Sequence, residues 1–128
     1  MAITAYLDDL ILNHIFGGAT YTQPSTVYAS LHTADPGGTG ANELSGTGYA
    51  RVAITFGAAS GGTKSNSAEV TFGPNSGGSA WTAVTHMAIW DASTGGNALS
   101  EIALGTSKTV AASDSAKFGV GDLDVTAS

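Results

Sequence analysis

Three histidines, ten acidic residues and one glycine-rich loop ending in lysine hold whatever chemistry this chain could perform. Ser30-Leu-His32 sets a hydroxyl and an imidazole two residues apart, which on an extended strand puts both on one face. A hydrolytic serine also needs a sharp strand-to-helix elbow beneath it, and none surrounds Ser30. His86 shares a strand face with Val84, Ala88 and Trp90, the setting of a hydrogen-bonded structural histidine. No activated nucleophile accompanies His14, His32 or His86, so no catalytic residue is assigned.

Metal chemistry has one candidate. Asp91, Ser93, Gly95 and Asn97 fall at the first, third, fifth and seventh places of a calcium loop. The twelfth place, which needs a bidentate glutamate, is Ile102, and flanking helices are missing. An Asx turn, in which Asp91 accepts nearby backbone amides, accounts for the same residues, so no metal ligand is assigned and calcium at Asp91–Asn97 stays the alternative. Asp114, Asp122 and Asp124 suggest paired carboxylates, yet glycoside hydrolysis also needs a sugar cleft with aromatic platforms. A solvated acidic edge that discourages sheet pairing fits them better. Gly57-Ala-Ala-Ser-Gly-Gly-Thr-Lys64 loosely resembles a phosphate loop, but the glycine spacing fails and no βαβ unit surrounds it. No cofactor is expected.

The elements that carry these residues read as strands after one helix. Ile3, Tyr6, Leu7, Leu10, Ile11, His14 and Ile15 recur at helical spacing, with Thr4 as N-cap and Gly17-Gly18 as the stop. The spacing predicts an amphipathic helix within residues 1–18, able to cover a sheet face or a partner. Alternating apolar residues then predict strands around Val27–Leu31, Val52–Phe56, Ala68–Phe72 and Val84–Trp90, with Gly57–Asn66 as a loop of small residues. Further short strands are expected at Ala98–Leu104, Lys108–Val110, Ala116–Val120 and Leu123–Val125. Val84–Trp90 is apolar on both faces, so it should lie between two layers. The expected fold is all-β: a β-sandwich over residues 19–128, of jelly-roll type if two Greek keys are present, and single-domain overall.

Composition narrows the partners. Charged residues make up only 11% of the 128, against roughly 25% in ordinary globular proteins. A surface so poor in charge suits packing among neighbours better than life as a dilute monomer. The net charge of −6, with Arg51, Lys64, Lys108 and Lys117 scattered singly, argues against binding nucleic acid or an anionic membrane. No apolar run reaches the roughly 18 residues that span a bilayer, and Met1-Ala-Ile-Thr lacks a positive leader region, so a soluble protein outside conventional secretion is expected. With no cysteine there is no disulfide framework, which is compatible with a reducing cytoplasm.

Several blocks carry a resemblance. Trp81-Thr-Ala-Val-Thr-His86, Ile89-Trp-Asp-Ala-Ser-Thr-Gly-Gly-Asn-Ala-Leu99, and Ser30-Leu-His-Thr-Ala-Asp-Pro-Gly37 leading through Glu43 to Gly48-Tyr-Ala-Arg51 are similar to short bacteriophage structural proteins. Ser107–Val110, Asp114 and Phe118–Val125 continue the match. That family comprises tail-fibre and minor tail proteins, similar in size to capsid decoration proteins. The resemblance implies a non-enzymatic virion component, assembled in the host cytoplasm, whose partners are its own copies and the major capsid or tail proteins. No long fibrous repeat is present, so a small tail module and a capsid cement protein are weighed equally. The interface candidates are Tyr6, Leu10 and Ile11 on the helix with the loop aromatics Tyr21 and Trp81. A receptor- or carbohydrate-binding module at the tail tip, using loops Asp35–Gly48 and Gly73–Ser79, is the alternative.

Overall fold

A computed structural model describes residues 1–127. In chain order its elements are β1 (Ala2–Ile3), α1 (Ala5–Phe16), β2 (Val27–His32), β3 (Val52–Ile54), β4 (Thr63–Ser65), β5 (Val70–Phe72), β6 (Val84–Trp90), β7 (Ala98–Lys108), β8 (Ala116–Phe118) and β9 (Asp124–Thr126). The fold is all-β and sandwich-like, with one short helix. Seven strands form a sheet in the order β3-β2-β6-β7-β1-β9-β4, and β5 pairs with β8 in a second sheet of two.

The large sheet curls until its two ends meet. Just past β3, Phe56 bridges Asn66 just past β4, and the Gly57 amide donates to the Ser65 carbonyl at 2.9 Å. The expected loop over 57–66 therefore contains a strand. Thr63-Lys-Ser65 has no apolar residue to announce it, and it forms because β9 offers a backbone partner: Lys64 lies opposite Val125. The segments expected at Ala98–Leu104 and Lys108–Val110 largely merge into the single strand β7, which ends at Lys108. Ile3 belongs to β1, not to the helix: Ala2 pairs with Glu101 antiparallel and with Thr126 in parallel.

β6 lies inside the sheet between β2 and β7, and its two faces meet different layers. Against β2 its register is Tyr28 with Trp90, Ala29 with Ile89, Ser30 with Ala88, Leu31 with Met87 and His32 with His86. Directly opposed residues share a face. Ala29, Leu31, Met87 and Ile89 thus point to the main core, among Ile54, Val70, Phe72, Trp81, Phe118 and Leu123. Trp90, Ala88, Ser30 and His32 point the other way, where Ala98 completes a small cluster. A shift in the β6–β7 register between Val84 and His86 returns Val84 to the main core. The second layer over β6 is made of loops rather than of a sheet, and those loops carry the polar residues described next.

Candidate functional site

The Ser30–His32 pair is real, and it is sealed. Both residues are fully buried, with Ser30 Oγ 2.7 Å from His32 Nε2. The Ala41 carbonyl, 2.8 Å from His32 Nδ1, can only accept, so Nδ1 carries the proton and Nε2 accepts from the Ser30 hydroxyl. Ser30 Oγ in turn accepts from Trp90 Nε1 at 2.7 Å. The chain of donors runs Trp90 to Ser30 to His32 to Ala41, with no member open to a substrate. Burial pushes the His32 imidazole below its ordinary pKa, which keeps it neutral, while the Ala41 bond and the Glu43 charge oppose that shift. The arrangement orients a strand face; it does not activate a nucleophile.

Around Trp90 the remaining polar residues close in. The Arg51 guanidinium lies 3.6 Å from the centre of the indole. It also donates to both Glu43 oxygens, from Nε at 2.9 Å and Nη2 at 2.8 Å, and through Nη1 to the carbonyls of Ala92 and Gly95. The Tyr49 hydroxyl donates to Glu43 at 2.9 Å and accepts the Leu31 amide at 3.0 Å. Burial alone would raise the Glu43 carboxyl, but hydrogen bonds from Arg51 and Tyr49 and the Arg51 charge hold it below the usual range. Burial likewise drives the Tyr49 phenol well above its ordinary value. On the opposite side Glu101 accepts the Gly38 and Gly40 amides at 2.6 and 2.8 Å, which pins the 36–42 loop onto the sheet. Gly40, at φ +75°, passes so close to Trp90 that a β-carbon there would sit 2.2 Å from the ring. Glu101 was not singled out in the sequence, where one acidic residue inside an alternating strand carries no distinguishing pattern.

The Asp91–Asn97 turn uses its own carboxylate. Asp91 Oδ1 accepts the Asn97 amide at 2.8 Å, and Oδ2 receives Asn97 Nδ2 at 3.3 Å. The carboxylate thus closes the turn on the amide six residues on, where an Asx turn would use the amide two residues on, and Arg51 ties the Ala92 and Gly95 carbonyls to Glu43. Trp81, offered above as a loop aromatic for an interface, lies inside the subunit. It is 5% exposed, meets Tyr49 edge-on at 5.8 Å and donates Nε1 to the Thr47 carbonyl at 3.1 Å. Its flanks, Gly-Gly-Ser-Ala before and Thr-Ala after, read as loop, but the Trp81 amide bonds the Val110 carbonyl and turns the indole inward. With Tyr49 and Trp81 both packed inside, they supply no platform for a glycan beside loops 35–48 and 73–79.

The helix is the opposite case. Thr4 caps it by accepting the Leu7 amide and donating to the Ala98 carbonyl, and Gly17 ends it at φ +99°. None of its residues is buried. Leu10 is half-covered, Tyr6 and Ile11 are each 40% exposed, and Leu12, Ile15 and Phe16 more so. Tyr21 lies half-buried beside it: its amide donates to His14 Nδ1 at 3.1 Å, and burial with the Asp91 carboxylate nearby raises its phenol. Tyr6, Leu10, Ile11 and Tyr21 are thus brought to one side of the subunit, and Trp81 is not.

Residues 2–126, almost the whole chain, match the family described as podophage GP4 fiber I protein gp80. The chain belongs to this family. It is a phage fibre protein, a structural component of the virion. A comparison with curated proteins finds no match. For the fibre protein, the polar hub explains why scattered blocks go together: Ser30–Gly37, Glu43, Gly48–Arg51 and Ile89–Leu99 are far apart in the chain and converge on Trp90.

Proposed function

We propose that this fibre protein works without catalysis, as a small tail-fibre module that assembles with its own copies and with neighbouring virion proteins in the host cytoplasm. The observation that carries the reading is α1, a twelve-residue helix with five large apolar side chains exposed and none buried. Burying such surface yields about 25 cal/mol per Å². A soluble monomer gains nothing from leaving it in water, whereas a subunit in a symmetric particle covers it. Tyr6, Leu10 and Ile11, with Tyr21 alongside, form the assembly face. The family supports a fibre position over a capsid cement. Gold labelling of native particles tests the position: label at one pole supports the fibre module, and an even coat over the head refutes it. Sedimentation at micromolar concentration tests self-assembly, which a monomer that also ignores purified particles would refute.

A further inference from the structure

The exposed helix that carries the assembly face has a counterpart on the same subunit. Between the N-terminal half of α1 and the sheet lies an open apolar groove of about 390 Å³, lined by Leu7, Pro24, Val27, Phe56, Ile89 and Val125. At the other end of the helix Ile15 is 64% exposed and Phe16 82% exposed. We propose that the Ile15–Phe16 knob of one copy seats in this groove on the next copy, joining subunits head to tail. The inference rests on the assembly reading above and adds how the copies join.

Three features support this occupant. The first is reach. Leu7 and Phe16 are nine helical residues apart, roughly 13 Å along the axis, so an unbroken helix cannot fold its own knob back into its own groove. The second is size. A cavity of about 150 Å³ admits a benzene ring, so this groove holds a phenyl group together with a second aliphatic side chain. Ile15 and Phe16 leave on the order of 300 Å² of apolar surface in water, so knob and groove together cover roughly 600 Å², a weak contact taken singly that gains strength by repeating from copy to copy. The third is charge. Lys64 lines the groove and has no ion-pair partner among the described residues, whose salt bridge is Arg51–Glu43. An incoming helix C-terminus presents its partial negative charge to that lysine.

Knob and groove are different patches, so the contact is heterologous and either closes into a ring or continues as a filament. The test uses one variant of each patch. Phe16→Glu breaks the knob, and Thr26→Arg plugs the groove from an exposed position on its rim. Ser25→Arg, also exposed, is the second groove variant should Thr26→Arg lose its circular dichroism spectrum. The parent is expected to sediment above monomer mass, and each variant alone as a monomer. An equimolar mixture of the two should form dimers and nothing larger, because one intact knob and one intact groove remain. A groove variant that stays oligomeric while Phe16→Glu dissociates means that helices pair face to face, and overturns the head-to-tail contact while leaving assembly intact. Parent and variants all monomeric would overturn self-assembly itself, and variants both as oligomeric as the parent would clear this surface of any role.

Discussion

Trp90→Ala removes the residue on which the polar hub converges. The indole is 6% exposed, so truncation deletes a buried aromatic and leaves a cavity, for about 3–5 kcal/mol. The Arg51 guanidinium, 3.6 Å from the ring, loses a cation–π contact of about 1 kcal/mol. The Ser30 hydroxyl loses its donor in a site without water contact, and the stacked His32 ring, 6.5 Å away, loses its cover. These effects put the cost near 5 kcal/mol, a large share of the 5–15 kcal/mol that domains usually have. For a chain of this length that lowers Tm by roughly 15 °C or more. Trp90→Phe separates the contributions. It keeps a ring under Arg51 and loses the indole N–H, so it should cost only about 1–2 kcal/mol. Thermal melts followed by circular dichroism measure both. A Trp90→Ala protein melting within about 3 °C of the parent would refute the reasoning, because a buried anchor cannot be removed so cheaply.

Other perturbations probe the same network and its surroundings. Gly40→Ala drives a β-carbon into the Trp90 ring at a positive φ, and should destabilise by about 1–3 kcal/mol in urea titrations. His86→Gln should cost under about 1 kcal/mol, since this half-exposed imidazole is bonded only to its neighbour Thr85, and a thermal melt measures it. Acid should weaken the fold in two stages: His32 has a folded pKa below its unfolded 6.5, so the unfolded chain takes the proton first and stability falls as pH drops through 6.5; Glu43, also lowered, loses its contribution below 4.5. Urea midpoints against pH should show both stages, and Glu43→Gln should abolish the second. EDTA and calcium should each leave Tm unchanged, because Asp91 is bonded to Asn97 through both oxygens.

What could be read in the chain depended on whether the signal was local. The cap at Thr4, the stop at Gly17, the Val84–Trp90 strand and the shared face of Ser30 and His32 follow from spacing alone, and the structure has them where they were expected. β4 did not show, because three polar residues become a strand only when β9 supplies the partner. The Glu101 contact to Gly38 and Gly40 spans more than sixty residues, and no spacing rule reaches that far. Trp81 misled for a related reason: its flanks read as loop, and only the bond to Val110 shows that the loop is drawn over the core. The helix was legible as amphipathic, but which face stays uncovered was not, since Leu12 and Phe16 lie off the stripe that its spacing suggested.

The contrast between the two ends of this subunit bears on what it is built to do. Every buried side-chain donor and acceptor among the described residues is satisfied, including the fully buried Asn66 and Asn75, each of which bonds through both its amide nitrogen and its carbonyl oxygen. Such bonds hold the loops they join in one conformation, because any slip leaves polar groups unpaired in a dry interior. The helix, held by Thr4, the Tyr6–Asn97 contact and the bond from the Tyr21 amide to His14, has the reverse character: its large apolar side chains lie in water. The polar groups of the interior are satisfied, and the large apolar side chains of α1 stay in water, as the proposed contact with another copy requires.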